Sequence, residues 1–148
     1  MKRGILPPTY FMIFLILSII FHFILPIKKI IPTPVKYFGI LPIVFGIIIN
    51  IWADQLFKKK KTTVNPHEKP SYFETKGPFS FSRHPMYMGM AAILFGVSIL
   101  LGSIIAFIFP IIFIIITETR FISLEEKNCE KTFGERYKQY RKKVRRWI

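Results

Sequence analysis

Four apolar stretches separated by polar segments dominate the pattern of this chain. They cover residues 5–25, 37–57, 87–101 and 104–117. A straight transmembrane helix needs about 20 apolar residues, so the first two stretches are long enough and the last two are short. The short stretches meet at Gly102-Ser103, and we expect a tight hairpin there because glycine and serine favour a turn. The pattern predicts an all-α integral membrane protein with about four transmembrane helices.

The C-terminal segment has a helical period of its own. Its apolar positions recur at steps of three and four, which places them on one face of a helix: Phe133, Tyr137, Tyr140, Val144 and Trp147. Basic residues occupy the opposite side, and Gly134 separates this helix from the one before it. We expect a basic amphipathic helix lying on the membrane surface, with Trp147 at headgroup level.

Length and composition support this architecture. A chain of 148 residues has room for one domain, residues 1–148. Within it, residues 1–57 hold two spans, and residues 58–148 hold a polar loop, the hairpin and the C-terminal helix. The chain is 51% hydrophobic and still carries a formal net charge of +14, as in membrane proteins with basic flanks. We therefore expect membrane lipids, and not nucleic acid, to meet the basic residues; no obligate protein partner and no metal site is indicated.

The positions of the basic residues predict the orientation. With four spans and both termini in the cytosol, 19 basic residues lie on the cytosolic side and three on the other, Lys28, Lys29 and Lys36. This is the asymmetry expected of multi-pass membrane proteins. Three spans would place the ten basic residues of the C-terminus outside. We therefore predict that both termini and the polar loop of residues 58–83 are cytosolic.

Two polar segments flank the predicted hairpin, which would return them to the same membrane boundary. The first is Arg83-His84-Pro85-Met86-Tyr87, and the second contains Glu125-Glu126. Proline disfavours a helical residue before it and suits the first helical position, so we expect a helix to begin at Pro85. The free N–H groups of that helix start would attract a carboxylate or phosphate. The alternative is a simple helix cap, with Arg83 on lipid phosphates.

Other polar residues near the lipid have two interpretations each. Glu125 and Glu126 either pair with lysines on a solvated face or complement a cationic ligand group. Glu118 precedes Glu125 by seven residues, so a regular helix would place both on one face. We expect His22 to bond a neighbouring helix, and Asp54 with Asn50 either to pair with lysines or to line a cavity.

The order of these motifs resembles the superfamily of isoprenylcysteine carboxyl methyltransferases and phospholipid methyltransferases. The motifs are Gly-Pro-Phe at 77–79, Ser-Arg-His-Pro-Met-Tyr-x-Gly at 82–89, Glu-Glu at 125–126, and Phe-Gly-x2-Tyr-x2-Tyr-x3-Val-x-Arg at 133–146. The resemblance covers roughly residues 60–148. It implies an integral membrane enzyme that uses S-adenosylmethionine without a soluble nucleotide-binding domain, and the sequence has no Gly-x-Gly-x-x-Gly motif.

The resemblance also implies roles for individual residues. Cofactor binding falls to Ser71, Tyr72, Phe73, Glu74, Phe79, His84, Pro85, Met86, Tyr87 and Glu125. The candidates for catalysis are Arg83 and Arg120, which would place a substrate carboxylate, and Glu126. The family often has an arginine four residues before the first glutamate, where this chain has Phe121. Arg120 lies five before, which rotates it by about 100° on a regular helix unless a local bulge intervenes.

These implications lead to one expected function and two alternatives. We expect a methyltransferase at the membrane–cytosol boundary that methylates a lipidic substrate, foremost the C-terminal carboxylate of an isoprenylcysteine. A phospholipid amine is the first alternative, and it would need a neutral nitrogen and a base, for which Glu125, Glu126 and His84 are candidates. The second alternative is a non-catalytic membrane protein whose basic tail recruits lipid or a partner.

Overall fold

The computed structural model describes residues 6–25, 30–60 and 72–148. These ranges contain six α-helices and no β-strand, as the pattern predicts. The helices are α1 Pro7–Ile24, α2 Ile40–Lys60, α3 Pro85–Leu101, α4 Ile108–Ile116, α5 Ser123–Phe133 and α6 Glu135–Lys143. Short 3-10 turns cover Val35–Gly39, Gly77–Ser80 and Ile104–Phe107, and a π-helical segment, Thr117–Ile122, joins α4 to α5.

Three helical segments within the described ranges are long and apolar enough to cross a membrane. They are Pro7–Ile24, Val35–Lys59 and Ile104–Phe133. The shorter apolar helix α3 has 17 residues, which extend over about 26 Å at 1.5 Å per residue. A bilayer core is about 30 Å thick, so α3 spans most of it. The three to four membrane helices agree with the predicted fold.

The predicted hairpin turn lies at Gly102-Ser103. Gly102 ends α3 in the left-handed region at φ 69°, which glycine adopts without strain. The Ser98 hydroxyl donates to the carbonyl of Ala106 at 2.8 Å and so joins the two arms of the hairpin. His22 of α1 is half-buried, and its Nδ1 lies 2.9 Å from the Ser103 hydroxyl, so the expected bond to a neighbouring segment is present but reaches the hairpin turn and not a helix.

Two reciprocal pairs of glycines allow α2 and α3 to pack backbone to backbone. A Cβ atom on Gly46 would lie 2.3 Å from the carbonyl oxygen of Gly89, and one on Gly39 would lie 2.4 Å from that of Gly96. Contacts this short are sterically impossible, so neither Gly46 of α2 nor Gly39, which ends the 3-10 turn just before α2, has room for a side chain. Small residues are what bring membrane helices together, because apolar burial does not drive their association in lipid. The glycines therefore fix α2 against α3.

The first helix packs on the hairpin through aromatic rings. Tyr10 lies edge-on to Phe121 at 5.7 Å, and Phe14 lies edge-on to Phe113 at 6.4 Å. Phe113 is completely buried. On α2, Asp54 pairs with Lys58 at 2.5 Å, which confirms the interpretation of Asp54 as a lysine partner.

The π-helical segment changes which residues share a face. A π-turn takes up one more residue than an α-turn, so it rotates everything after it by about 100° relative to everything before it. Glu118, inside the segment, consequently shares a partner with Glu126 and not with Glu125, since both Glu118 and Glu126 contact Arg146. The expectation that Glu118 and Glu125 act on one face assumed a regular helix and is wrong for this reason.

The C-terminal helix is shorter than its period suggested. It begins after Gly134, whose φ is 52°, as predicted, but ends at Lys143. Residues 144–148 then run without helical structure, with Val144 buried and Trp147 half-buried. The aromatic face of α6 packs against Phe73 of the polar loop, so these side chains are covered by protein.

Candidate active site

A cavity of about 260 Å³ opens where the starts of α1 and α3 meet the end of α2 and the middle of α5. This volume lies just below the roughly 300–1,000 Å³ typical of small-molecule sites, and residues 61–71 are outside the described ranges. The lining residues are Leu6, Pro7, Pro8, Phe57, Tyr72, Phe73, Glu74, Phe79, Arg83, His84, Pro85, Met86, Tyr87, Met90, Glu125, Asn128, Cys129, Tyr137 and Tyr140. The walls of the cavity thus combine carboxylates, a guanidinium and an imidazole with aromatic and aliphatic side chains.

Most residues proposed from the sequence meet at this cavity. Of the cofactor-binding candidates, every one between Tyr72 and Glu125 lines it, and Ser71 lies outside the described residues. Arg83 lines the cavity as well, and Glu126 lies behind it in contact with Arg83. Arg120 does not line the cavity, and its side chain is exposed. The π-helical segment that contains it is a local bulge of the kind needed to turn Arg120 toward the site, yet it does not do so.

The start of α3 is built as the proline predicted. Pro85 occupies the first helical turn, His84 precedes it outside the helical region at φ −129° and ψ 57°, and no side chain caps the helix. The backbone N–H of His84 donates to the Ser82 hydroxyl at 3.2 Å, and that hydroxyl donates to the carbonyl of Arg146 at 3.2 Å. The first-turn N–H groups of a helix have no partner within the helix itself. The uncapped start of α3 therefore offers donors to an anion beside the cavity.

His84 lies between two carboxylates. Its Nδ1 is 3.2 Å from Oε2 of Glu125, and its Nε2 is 3.4 Å from Oε1 of Glu126. Burial alone would lower the pKa of this imidazole, but the hydrogen bonds to Glu125 and Glu126 outweigh burial and raise it above 6.5. The raised pKa favours the imidazolium form of His84, in which both ring nitrogens donate to these carboxylates.

Glu125 accepts from two donors and still lines the cavity. Besides His84, the hydroxyl of Tyr87 donates to Oε1 of Glu125. Tyr87 and His84 also stack, with ring centroids 5.8 Å apart. The Glu125 side chain keeps 23% of its surface exposed, against 6% for Glu126. Of the adjacent pair, Glu125 is the carboxylate available to a ligand.

Arg83 has N–H donors that bond no other group among the described residues. Its Nη2 forms an ion pair with Oε1 of Glu126 at 2.8 Å, and its side chain is only 7% exposed. Its Nε and Nη1 are buried and have no hydrogen-bond partner among the described residues. A buried guanidinium with unpaired N–H groups is costly unless a ligand or water satisfies them. These N–H groups of Arg83 are free to donate to an anionic ligand group.

Arg146, which the sequence analysis named only as the last residue of the motif at 133–146, is part of this network. It contacts Glu126 through Nε at 3.2 Å and Nη2 at 2.5 Å, and its Nη1 donates to Glu118. Trp147 donates from Nε1 to the other oxygen of Glu118 at 2.9 Å. The only signal in the sequence was the Val-x-Arg ending of the motif, since these contacts join residues 20 to 29 positions apart.

Aromatic side chains of α6 form another wall that the sequence analysis assigned to the membrane surface. Phe73 lies within 5.7 Å of the rings of Tyr137 and Tyr140, and the Tyr140 hydroxyl donates to the carbonyl of Phe79 at 2.6 Å. Phe79 in turn packs edge-on against Phe57 of α2 at 5.2 Å. Helical spacing identified the aromatic face of α6 but could not say that it faces the polar loop.

Comparison with known proteins agrees with the motifs at this site. An uncharacterized protein of Haemophilus influenzae is 38% identical over 63 residues, which cover 43% of this chain and 100% of that protein. No solved structure matches the chain. Residues 35–136, more than half of the chain, match the phospholipid methyltransferase family, which falls in the same superfamily as the isoprenylcysteine carboxyl methyltransferases. The chain belongs to the phospholipid methyltransferase family of membrane methyltransferases.

Proposed function

We propose that this protein transfers a methyl group from S-adenosylmethionine to the carboxylate of a lipidic substrate, foremost an isoprenylcysteine, at the cytosolic boundary of the membrane. The observation that carries the proposal is the pair of unpartnered, buried N–H groups on Arg83 at the cavity. These buried N–H groups need an anionic hydrogen-bond acceptor. The cytosolic assignment rests on the distribution of basic residues, 19 against three.

The residues around the cavity fit the proposed cofactor. S-adenosylmethionine supplies a methyl group on a cationic sulfur, together with an amino group, a carboxylate, ribose hydroxyls and an adenine ring. Glu125 and Glu74 give the cavity negative charge for the cationic groups, and the uncapped start of α3 gives N–H donors for the carboxylate. Phe73 and Phe79 provide apolar ring surface. Cofactor binding by Tyr72, His84, Pro85, Met86 and Tyr87 belongs to the same proposal.

The network favours a carboxylate over an amine as the methyl acceptor. A carboxylate oxygen attacks the methyl carbon, the new O–C bond forms as the C–S bond breaks, and the electron pair leaves with sulfur. No proton has to be removed. An amine would need a base, yet the two carboxylates raise the pKa of His84 and favour its charged form, and Glu126 accepts from Arg83, His84 and Arg146 together. Catalysis by this chain then rests on holding the two reactants in line, which contributes about 7–11 kcal/mol in favourable cases.

A phospholipid amine remains the second candidate, and the family match is the observation that favours it. Glu125 is the carboxylate that would act as base, since it lines the cavity and is more exposed than Glu126. The side chain of Arg120 is exposed, and this position does not support a role for Arg120 in either reaction.

The test is a transfer assay with purified protein, methyl-tritiated S-adenosylmethionine, mixed phospholipids and N-acetyl-S-farnesylcysteine. We expect label that mild base releases as volatile methanol, because methyl esters hydrolyse and methylamines do not. Base-stable label in the phospholipid fraction would establish the amine reaction instead. Absence of transfer together with absence of cofactor binding would overturn the enzyme and leave the lipid-recruiting alternative.

A further inference from the structure

The last residues of the described chain fold back onto the segment that precedes α3. The backbone N–H of Arg83 donates to the carbonyl of Arg145 at 3.0 Å, and the Ser82 hydroxyl donates to the carbonyl of Arg146. The side chain of Arg146 then reaches α5 and the π-helical segment through Glu126 and Glu118. One residue of the tail thus connects both halves of the site.

The charged groups in this region balance in number when His84 is protonated. Arg83, His84 and Arg146 face the three carboxylates Glu118, Glu125 and Glu126. Glu126 is nearly buried and receives a two-pronged contact from Arg146, beside single contacts from Arg83 and His84. A planar guanidinium is suited to such a contact with a carboxylate, and a lysine cannot reproduce it.

We infer that Arg146 is a positioning residue that keeps the free donors of Arg83 available to the anionic group of the substrate. Arg146 occupies both oxygens of Glu126, so Arg83 binds this carboxylate through Nη2 alone and retains Nε and Nη1. Without Arg146, Glu126 is a buried carboxylate short of donors, and the nearest unpaired donors belong to Arg83. The side chain of Arg83 then turns to Glu126 with a second N–H group. This inference rests on the proposed function, because it assigns the Arg83 donors to a substrate carboxylate.

The first experiment measures binding without turnover. Wild type, Arg146→Met, Arg146→Lys and Arg145→Met are reconstituted in nanodiscs, and their affinities for radiolabelled N-acetyl-S-farnesylcysteine and for S-adenosylmethionine are determined separately. We expect Arg146→Met to bind the farnesylcysteine about ten- to a hundredfold more weakly, the range for loss of hydrogen bonds to a charged group. Cofactor affinity and the control Arg145→Met should stay at the wild-type level.

A double substitution separates positioning from general damage to the fold. In Glu126→Gln/Arg146→Met the residue at 126 is neutral and attracts Arg83 less strongly, so this variant should bind the farnesylcysteine more tightly than Arg146→Met alone. A purely structural role for Arg146 predicts additive losses instead. If Arg146→Met does not fold, Arg146→Lys carries the test, with severalfold weaker binding expected because one ammonium replaces the planar fork.

The outcomes separate a failure of the positioning role of Arg146 from a failure of the proposed methyl transfer to a carboxylate. Wild-type affinity in Arg146→Met or in folded Arg146→Lys, with methyl transfer to the carboxylate present in wild type, would overturn the positioning role alone. Equal losses for the farnesylcysteine and the cofactor would also overturn it, because they indicate collapse of the whole site. If wild type binds the cofactor but neither binds nor methylates the farnesylcysteine, the carboxylate proposal fails and the inference falls with it.

Discussion

Arg83 and Glu126 form an ion pair in which Nη2 lies 2.8 Å from Oε1 and both side chains are almost completely buried, at 7% and 6% exposure. The two residues come from different sides of the hairpin, one from the segment before α3 and one from α5. A buried ion pair contributes little net stability, since desolvation offsets most of the attraction. Its value here is that it fixes the direction of a guanidinium that still has unpaired donors.

Replacement of Arg83 by lysine should impair methyl transfer while the cofactor still binds. A lysine ammonium can satisfy Glu126 but leaves nothing in place of Nε and Nη1. We expect kcat/KM for the prenylcysteine substrate to fall about ten- to a hundredfold. Steady-state kinetics measure this, with cofactor affinity as the internal control. Unchanged kcat/KM in Arg83→Lys would mean that the free donors do not serve the substrate.

Glu125→Gln should weaken cofactor binding. The substitution keeps the shape of the side chain but removes the negative charge that lines the cavity, and it disturbs the bonds to His84 and Tyr87. We expect the dissociation constant for S-adenosylmethionine to rise by about tenfold or more. Equilibrium dialysis with labelled cofactor gives the value directly.

Glu130→Gln is the matched control for that experiment. Glu130 lies on the same helix and pairs with Arg141 at 3.4 Å on the exposed surface, outside the cavity. An exposed pair of this kind contributes between nothing and about 1 kcal/mol, so cofactor affinity should not change. Equal weakening in both variants would point to a general effect of charge on the protein and against a contact by Glu125.

His84 should make stability depend on pH. Its pKa is raised above 6.5 in the folded protein because its bonds to Glu125 and Glu126 outweigh the opposing effect of burial. The stabilisation from the imidazolium is therefore complete below pH 6.5 and is lost as the pH rises through the folded-state pKa. Thermal unfolding in detergent across neutral and alkaline pH should show this decline in wild type and a flatter profile in His84→Gln. Parallel profiles would refute the assignment.

Gly46→Ala should destabilise the α2–α3 pair. The added Cβ would lie 2.3 Å from the carbonyl oxygen of Gly89, and backbone cannot move aside as a flexible side chain can. Overpacking of this kind costs about 1–3 kcal/mol, which thermal unfolding in detergent will detect. The control is Ile48→Ala, also on α2, where the side chain is 56% exposed and faces away from the protein. A similar change in both variants would show that the glycine contact is not limiting.

The sequence by itself determined the class of the fold and most of the residues of the site. Apolar length, the turn at Gly102-Ser103 and the proline at position 85 are local properties, because solvation in lipid and backbone geometry act on each segment independently. The motifs around Arg83 and Glu125 named many of the residues that line the cavity, although not Tyr137 and Tyr140 of α6. Each of these could be recognised without knowing what lies across the bundle.

Only the tertiary structure decided which partners those residues meet. The π-helical segment turns Glu118 toward Arg146, the partner of Glu126. A π-turn adds one residue to the helix, and a run of helix-forming residues does not indicate where that extra residue lies. The aromatic face of α6 covers the polar loop, although its period equally fits a membrane surface. Arg146 closes the charge network from the far end of the described chain. Contacts between distant segments depend on how whole helices pack, so hydrophobic period and local motifs do not encode them.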